Sequence, residues 1–199
     1  MARLFILLVT VICFEFSNAQ LKPFPGAPKP LTEKQEELEE KNRSCVHRDK
    51  FSQQQRLKLY PFNKAAQVQI VSFDKPDTLI EGKLPMKNKK VDYSQLKEIK
   101  TLEKAEIDSL TDILYNNGYR GEFHMEMESL CYNPRNAILF ADSTGKAFAF
   151  IELCFECQGY KTSSSAVKTG DFCDQKYKLI QTFFSKHGIE FGTKENADE

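Results

Sequence analysis

Two strand-like runs, Asn136–Ala141 and Lys146–Phe155, flank Asp142-Ser143-Thr144-Gly145. The link ends in the glycine that a tight reversal with positive φ requires. This hairpin constrains the fold more than any other segment, because it is apolar on both faces. A strand pair with no wet face belongs in the middle of a sheet, with material packed above and below it. Centring the turn on Ser143-Thr144 sets Phe140 opposite Phe148, Ile138 opposite Phe150 and Asn136 opposite Glu152.

Other segments supply partners for the hairpin. Gln67–Phe73 reads as a strand, with Val68 and Ile70 alternating with Gln67 and Gln69. Phe123–Glu128 alternates Phe123, Met125 and Met127 with His124, Glu126 and Glu128, a strand with one wet face. Leu102–Asn117 reads as a helix with Ile107, Leu110, Ile113 and Leu114 on one face, ended by Gly118. Asp171–Ser185 reads as a second, capped by Asp171 and stopped by Gly188, with Phe172, Tyr177, Ile180, Phe183 and Phe184 as its core stripe. The expected fold class is α+β: a mainly antiparallel sheet of four to five strands with two helices packed on it, preceded by a flexible arm.

The N-terminus has the order of a secretory signal. One positive charge in residues 1–3 precedes the apolar run Leu4–Phe14, and Ser17 and Ala19 occupy the −3 and −1 positions before Gln20. The run is too short for a membrane span. Residues 20–30 carry four prolines, and the charged helix that Thr32 and Gln35 are set to start has no face to bury. The expected organisation is therefore a signal peptide over 1–19, a flexible arm over 20–60, one domain over 61–192 and a polar tail over 193–199. The expected location is exported, periplasmic or extracellular. The 199-residue chain balances 28 basic against 28 acidic residues. Bulk charge therefore gives no reason to expect nucleic-acid binding. A lysine-rich stretch, Lys83–Lys104, reads as a solvated loop and secondarily as an anion-binding patch.

Cys13 leaves with the signal, and five cysteines remain: Cys45, Cys131, Cys154, Cys157 and Cys173. In an oxidising compartment they should pair where geometry allows, and an odd number leaves one over. The hairpin register brings Cys131 near Cys157, with Cys131–Cys154 as a fallback. If the last helix covers the face that carries Cys154, Cys154 meets Cys173. The expectation is two bridges, Cys131–Cys157 and Cys154–Cys173, with Cys45 on the arm free or linking two chains as a homodimer.

Cys154-Phe155-Glu156-Cys157 is also a C-x-x-C motif, which serves redox couples, zinc half-sites and structural bridges alike. A redox cysteine wants a helix N-terminus to lower its pKa, and a loop follows here instead. Zinc wants a second close pair of ligands, and Cys131, Cys173, His124 and His187 supply none at ligand spacing. His124, Glu126 and Glu128 share a strand face, as residues on any wet face do. Arg135, Asn136 and Glu152 form a small polar cluster in an apolar setting, either a satisfied pair at the strand ends or a polar pocket beside Cys154. No catalytic residue, metal site or cofactor is assigned, and enzymatic activity is left open.

The blocks Cys131-Tyr132-Asn133-Pro134-Arg135-Asn136-Ala137-Ile138-Leu139-Phe140 and Ile151-Glu152-Leu153-Cys154-Phe155-Glu156-Cys157 resemble small uncharacterised exported bacterial proteins. That group has no established activity, so the resemblance lends no catalytic residue. The function expected is an exported domain with structural disulfides, non-catalytic, binding a protein or small ligand or associated with the envelope. The alternative is a thiol–disulfide or metal-binding protein using Cys154 and Cys157.

Overall fold

The computed structural model describes residues 30–74, 83–123 and 131–193. Its centre is a five-stranded antiparallel sheet. The strands are β2 (Gln67–Phe73), β5 (Leu96–Thr101), β7 (Asn136–Ala141), β8 (Ala147–Cys154) and β9 (Gly159–Thr162), in the spatial order β5-β2-β7-β8-β9. β7 lies in the middle, and all six of its residues are buried. Burial of each large apolar side chain of this kind contributes about 1.5–3 kcal/mol. The fold is thus α+β with a mainly antiparallel sheet.

The two faces are covered differently. Val68, Ile70, Ile138, Phe140, Ile151 and Leu153 point to the helical side, where they meet Leu110 and Leu114 of α3 (Lys104–Asn116) and Ile180, Phe183 and Phe184 of α4 (Lys176–Lys186). Val71, Phe73, Ala137 and Leu139 point the other way, against Leu84, Val91, Tyr93 and Leu96. That second cover contains the small ladder of β3 (Met86–Lys87) and β4 (Lys90–Val91). The lysine-rich stretch is therefore not one solvated loop. Its end, β5, is the edge strand, with Lys97 exposed and Lys100 half-buried, a placement that guards a sheet edge against further pairing.

The turn of the central hairpin is held by Asp142, whose Oδ1 accepts from Thr144 N at 2.9 Å, Thr144 Oγ1 at 2.6 Å and Lys146 N at 3.1 Å. Gly145 takes φ 79°. A bulge between Phe140 and Ala141 then shifts the register by one residue. Asn136 lies opposite Leu153, and Glu152 lies opposite Ala137. The expected pairing of Asn136 with Glu152 is corrected on this point. Because side chains alternate along a strand, the one-residue slip puts the two polar groups on opposite faces of the sheet.

The expected Cys131–Cys157 bridge forms, while the slip turns Cys154 away from Cys173. The last helix covers the Ile151–Leu153 face, not the one that Cys154 shares with Phe150 and Glu152, so the expected Cys154–Cys173 bridge does not form. Cys173 is bonded to Cys45, with Cα atoms 5.0 Å apart. Cys131 is bonded to Cys157, with Cα atoms 5.7 Å apart. Cys154 is the free thiol, and it is buried. Cys45 is neither free nor available to link two chains.

The arm expected over 20–60 is also revised. Residues 20–29 lie outside the described part. α1 (Glu33–Arg43) buries nothing, and its Thr32 and Gln35 form the capping box. Beyond it the chain joins the domain. β1 (Cys45–His47) pairs with β6 (Asn117–Tyr119). In α2 (Gln53–Arg56), Arg56 is buried, donates to Thr111 Oγ1 at 3.2 Å and to Phe51 O at 2.8 Å, and pairs with Asp108. Hydrophobic spacing misses much of this docking, because a disulfide and a buried guanidinium hold it along with the scattered apolar residues Phe51, Leu59 and Tyr60 rather than a helical stripe.

Two helix ends differ from expectation for related reasons. Gly118 does not end α3 by a left-handed turn. The chain passes straight into β6, and a Cβ at Gly118 would lie 2.9 Å from Asp171 Oδ2. α4 begins at Lys176, not at Asp171. The preceding residues are committed elsewhere: Phe172 stacks on Tyr160 at 4.0 Å between ring centroids, and Cys173 holds Cys45. The expected strand over Phe123–Glu128, with His124, Glu126 and Glu128 on its wet face, falls outside the described residues after Phe123, as does the signal region 1–19. Of the tail, Thr193 is buried and 194–199 lie outside.

Candidate functional site

A polar row crosses one end of the sheet. Glu98, Ser72 and Asn136 are neighbours on β5, β2 and β7. Ser72 Oγ donates to Glu98 Oε2 at 2.5 Å. The carboxylate of Glu98 also accepts from Glu190 N at 3.1 Å and Phe191 N at 3.0 Å. Asn136 Nδ2 donates to Phe191 O at 3.0 Å. The row therefore straps residues 190–192 across the strand ends, and Lys97 closes the strap from above, 3.7 Å from the Phe191 ring centroid. Gly192 has φ 74°, and a Cβ there would meet Asn136 Oδ1 at 2.5 Å and Arg135 Cβ at 2.8 Å. The lack of a side chain permits this approach.

Beside the strap opens a cleft of about 480 Å³. One wall is Asn133, Arg135 and Asn136, leading into β7. The turn after β8 supplies Phe155 and Glu156, and the start of α4 supplies Tyr177. The Cys131–Cys157 bridge ties the first wall to the turn. Asp174, also on the lining, pairs with Arg43 at 3.6 Å.

The hydrogen bonding of this cleft is incomplete. Among the described residues, the buried side-chain polar atoms without a hydrogen-bond partner are Asn133 Oδ1, Arg135 Nε, Asn136 Oδ1 and Arg43 Nε. The first three belong to the cleft wall, and the fourth belongs to the partner of Asp174. Such groups are rare because an unpaired buried donor or acceptor costs about 1–3 kcal/mol. Two charged residues on the lining make no side-chain hydrogen bond or ion pair within the described residues: Arg135, which is half-buried, and Glu156, which is exposed at the rim. Arg135 does lie 5.6 Å from the Phe191 ring centroid. A second cleft, of about 540 Å³, holds Arg48, Lys50, Lys168 and Asp171. Arg48 is already engaged there with Tyr119 O at 2.9 Å and Arg120 O at 3.1 Å, and no orphaned atom lines it.

Glu152 stands apart from this cleft. It is buried on the other face, where Oε2 accepts from Leu84 N at 2.5 Å and Oε1 accepts from Tyr132 Oη at 2.9 Å. The Tyr132 ring packs over Gly159, with Lys161 Nζ 3.9 Å from its centroid. Burial, then the carboxylate of Glu152, pushes the Tyr132 phenol far above its ordinary pKa. The expected polar cluster is thus divided. Arg135 and Asn136 share the cleft, and neither is the partner of Glu152, which is held by Tyr132 and a backbone amide.

The C-x-x-C motif is divided as well. Cys157 belongs to the bridge with Cys131, and Cys154 Sγ accepts from Cys157 N at 3.2 Å. Burial raises the Cys154 pKa, against backbone hydrogen bonds from Asn133 and Cys157 that lower it. A thiol of that kind is a poor nucleophile at neutral pH. No group of three His, Cys, Asp or Glu side chains able to hold a metal occurs among the described residues. None of their helices is long and apolar enough to cross a membrane.

Comparison with known proteins finds no matching family model, no matching curated protein and no matching solved structure. Sequence reasoning singled out Arg135 and Asn136 but missed Asn133, Glu156, Tyr177 and Gly192 as one site. The block Cys131–Asn136 held one wall, and the block Ile151–Cys157 held Phe155 and Glu156 of the turn. The rest comes from α4 and residues 190–192, which hydrophobic periodicity reads only as core and tail.

Proposed function

We propose that this protein is an exported, disulfide-stabilised binding domain that takes a small polar ligand in the cleft between Asn133–Asn136, the turn after β8 and α4. One observation carries the reading: three of the buried side-chain polar atoms without partners lie on the wall of this one cleft. A bound ligand with complementary donors and acceptors offsets their desolvation, and that difference is available as affinity. The orphaned atoms are closed off from solvent, so the Asn133 and Arg135 side chains turn to meet the ligand.

Export is supported by the charged, apolar and small-residue order of residues 1–19 and by two disulfides, which persist in oxidising compartments. Kinship with the small exported bacterial proteins that share the Cys131–Phe140 and Ile151–Cys157 blocks belongs to the same reading. The periplasm or the extracellular space follows from it.

Amide-resolved NMR of the oxidised protein against a panel of small polar compounds tests the cleft. Shifts concentrated at 133–136, 155–158, 174–181 and 192 support it. A panel that moves none of these amides, or moves only those of the cleft at Lys50 and Lys168, overturns it.

A further inference from the structure

We infer that the ligand of this cleft is a small zwitterion, a free amino acid carrying an ammonium and a carboxylate on one molecule. The inference rests on the cleft being a binding site and names what it binds. Its basis is the pair of uncommitted charges of opposite sign in the same lining, Arg135 from the approach to β7 and Glu156 from the turn after β8.

A guanidinium presents parallel N–H donors that match a carboxylate. An ammonium is three donors with no acceptor. It is met by a carboxylate and by amide oxygens, and the cleft has Glu156 together with the orphaned oxygen of Asn133, whose side chain turns to the ligand. A purely anionic ligand would satisfy Arg135 but leave Glu156 and the Asn133 oxygen facing acceptors. A purely cationic one would leave Arg135 unmatched. A zwitterion satisfies both sets at once. Its side chain would lie against the rings of Phe155 and Tyr177, which also line the cleft. The volume of about 480 Å³ is ample for one amino acid and lies within the range of small-molecule pockets.

Arg135 and Glu156 should each read one end of the ligand. The test is calorimetric titration of the full exported chain with the twenty common L-amino acids, followed by the amide and the N-acetyl form of the best binder. The free amino acid should bind at least about ten-fold tighter than either derivative, the size of one charge-assisted hydrogen bond. In Arg135→Gln the acid and its amide should bind equally. In Glu156→Gln the amino acid and its N-acetyl form should bind equally. Unchanged circular dichroism and melting of both variants exclude misfolding as the cause. If amino acids do not bind while other small polar compounds move the cleft amides, the zwitterion assignment is overturned and the binding reading stands. If nothing binds in the cleft, both fall. If amino acids bind but neither variant alters the ranking, the assignment of Arg135 and Glu156 is overturned.

Discussion

Cys45 and Cys173, separated by 128 residues, are bonded to each other and join the strand after the first helix to the segment that leads into the last. The other bridge, Cys131–Cys157, spans 26 residues and is nested inside the first. In the chain-entropy view, longer loops restrict the unfolded chain more, so the outer bridge is the larger contributor, about 4–5 kcal/mol against about 3.5 kcal/mol. Urea unfolding should therefore show a greater loss of stability for Cys45→Ala/Cys173→Ala than for Cys131→Ala/Cys157→Ala. The reverse order would mean that residues 30–60 dock without help from the bridge.

Cys154 should behave as a silent thiol. The oxidised chain lacking residues 1–19 should show almost no reaction with Ellman's reagent when folded, and one thiol per chain in denaturant. Rapid reaction in the folded state, or a Cys154–Cys157 peptide in a non-reducing digest, would return the motif to redox chemistry.

Glu152 should be structurally costly to remove. Glu152→Ala leaves the Leu84 amide and the Tyr132 hydroxyl without their acceptor, a loss of about 2–4 kcal/mol. Tyr132→Phe removes one bond and should cost less. Chemical denaturation of the single and double variants gives the coupling. Strict additivity would mean that the hydrogen bond to Tyr132 adds nothing measurable.

Lys176 gives a pH signature. It is buried, donates from Nζ to Leu114 O at 2.6 Å, and burial pulls its pKa down to about 8. The unfolded chain therefore binds more protons than the folded chain between pH 8 and the ordinary lysine value near 10.5. Stability rises with pH wherever the unfolded state holds the extra proton. Relative to Lys176→Met, the parent protein should gain stability between about pH 8 and 10. Measuring both on a Cys154→Ala background prevents thiol exchange at high pH. A flat difference across that range would show that the ammonium is solvated.

Elements that depend on local pattern were legible in the sequence. β2, β7 and α3 fall within two residues of their expected bounds, because alternation, helical spacing and capping act over a few neighbours. The features that build the site were not. The bulge at Phe140/Ala141 moves Glu152 away from Asn136 by one residue of register, and no local propensity sets that step. Asn136 finds its partner in the backbone of Phe191, 55 residues along the chain. Arg56 looks like a surface residue until Thr111 and Asp108 close on it.

By itself, then, the sequence determined that a doubly buried hairpin must sit inside an antiparallel sheet with two helices over it, since apolar periodicity dictates which surfaces leave water. The hairpin also brought Cys131 to Cys157, but tertiary structure alone decided that Cys45 meets Cys173, which face carries Cys154, and which polar atoms are left without partners around the cleft. Those outcomes turn on a single bulge and on contacts between residues far apart in the chain. Their energies come from geometry rather than from hydrophobic spacing.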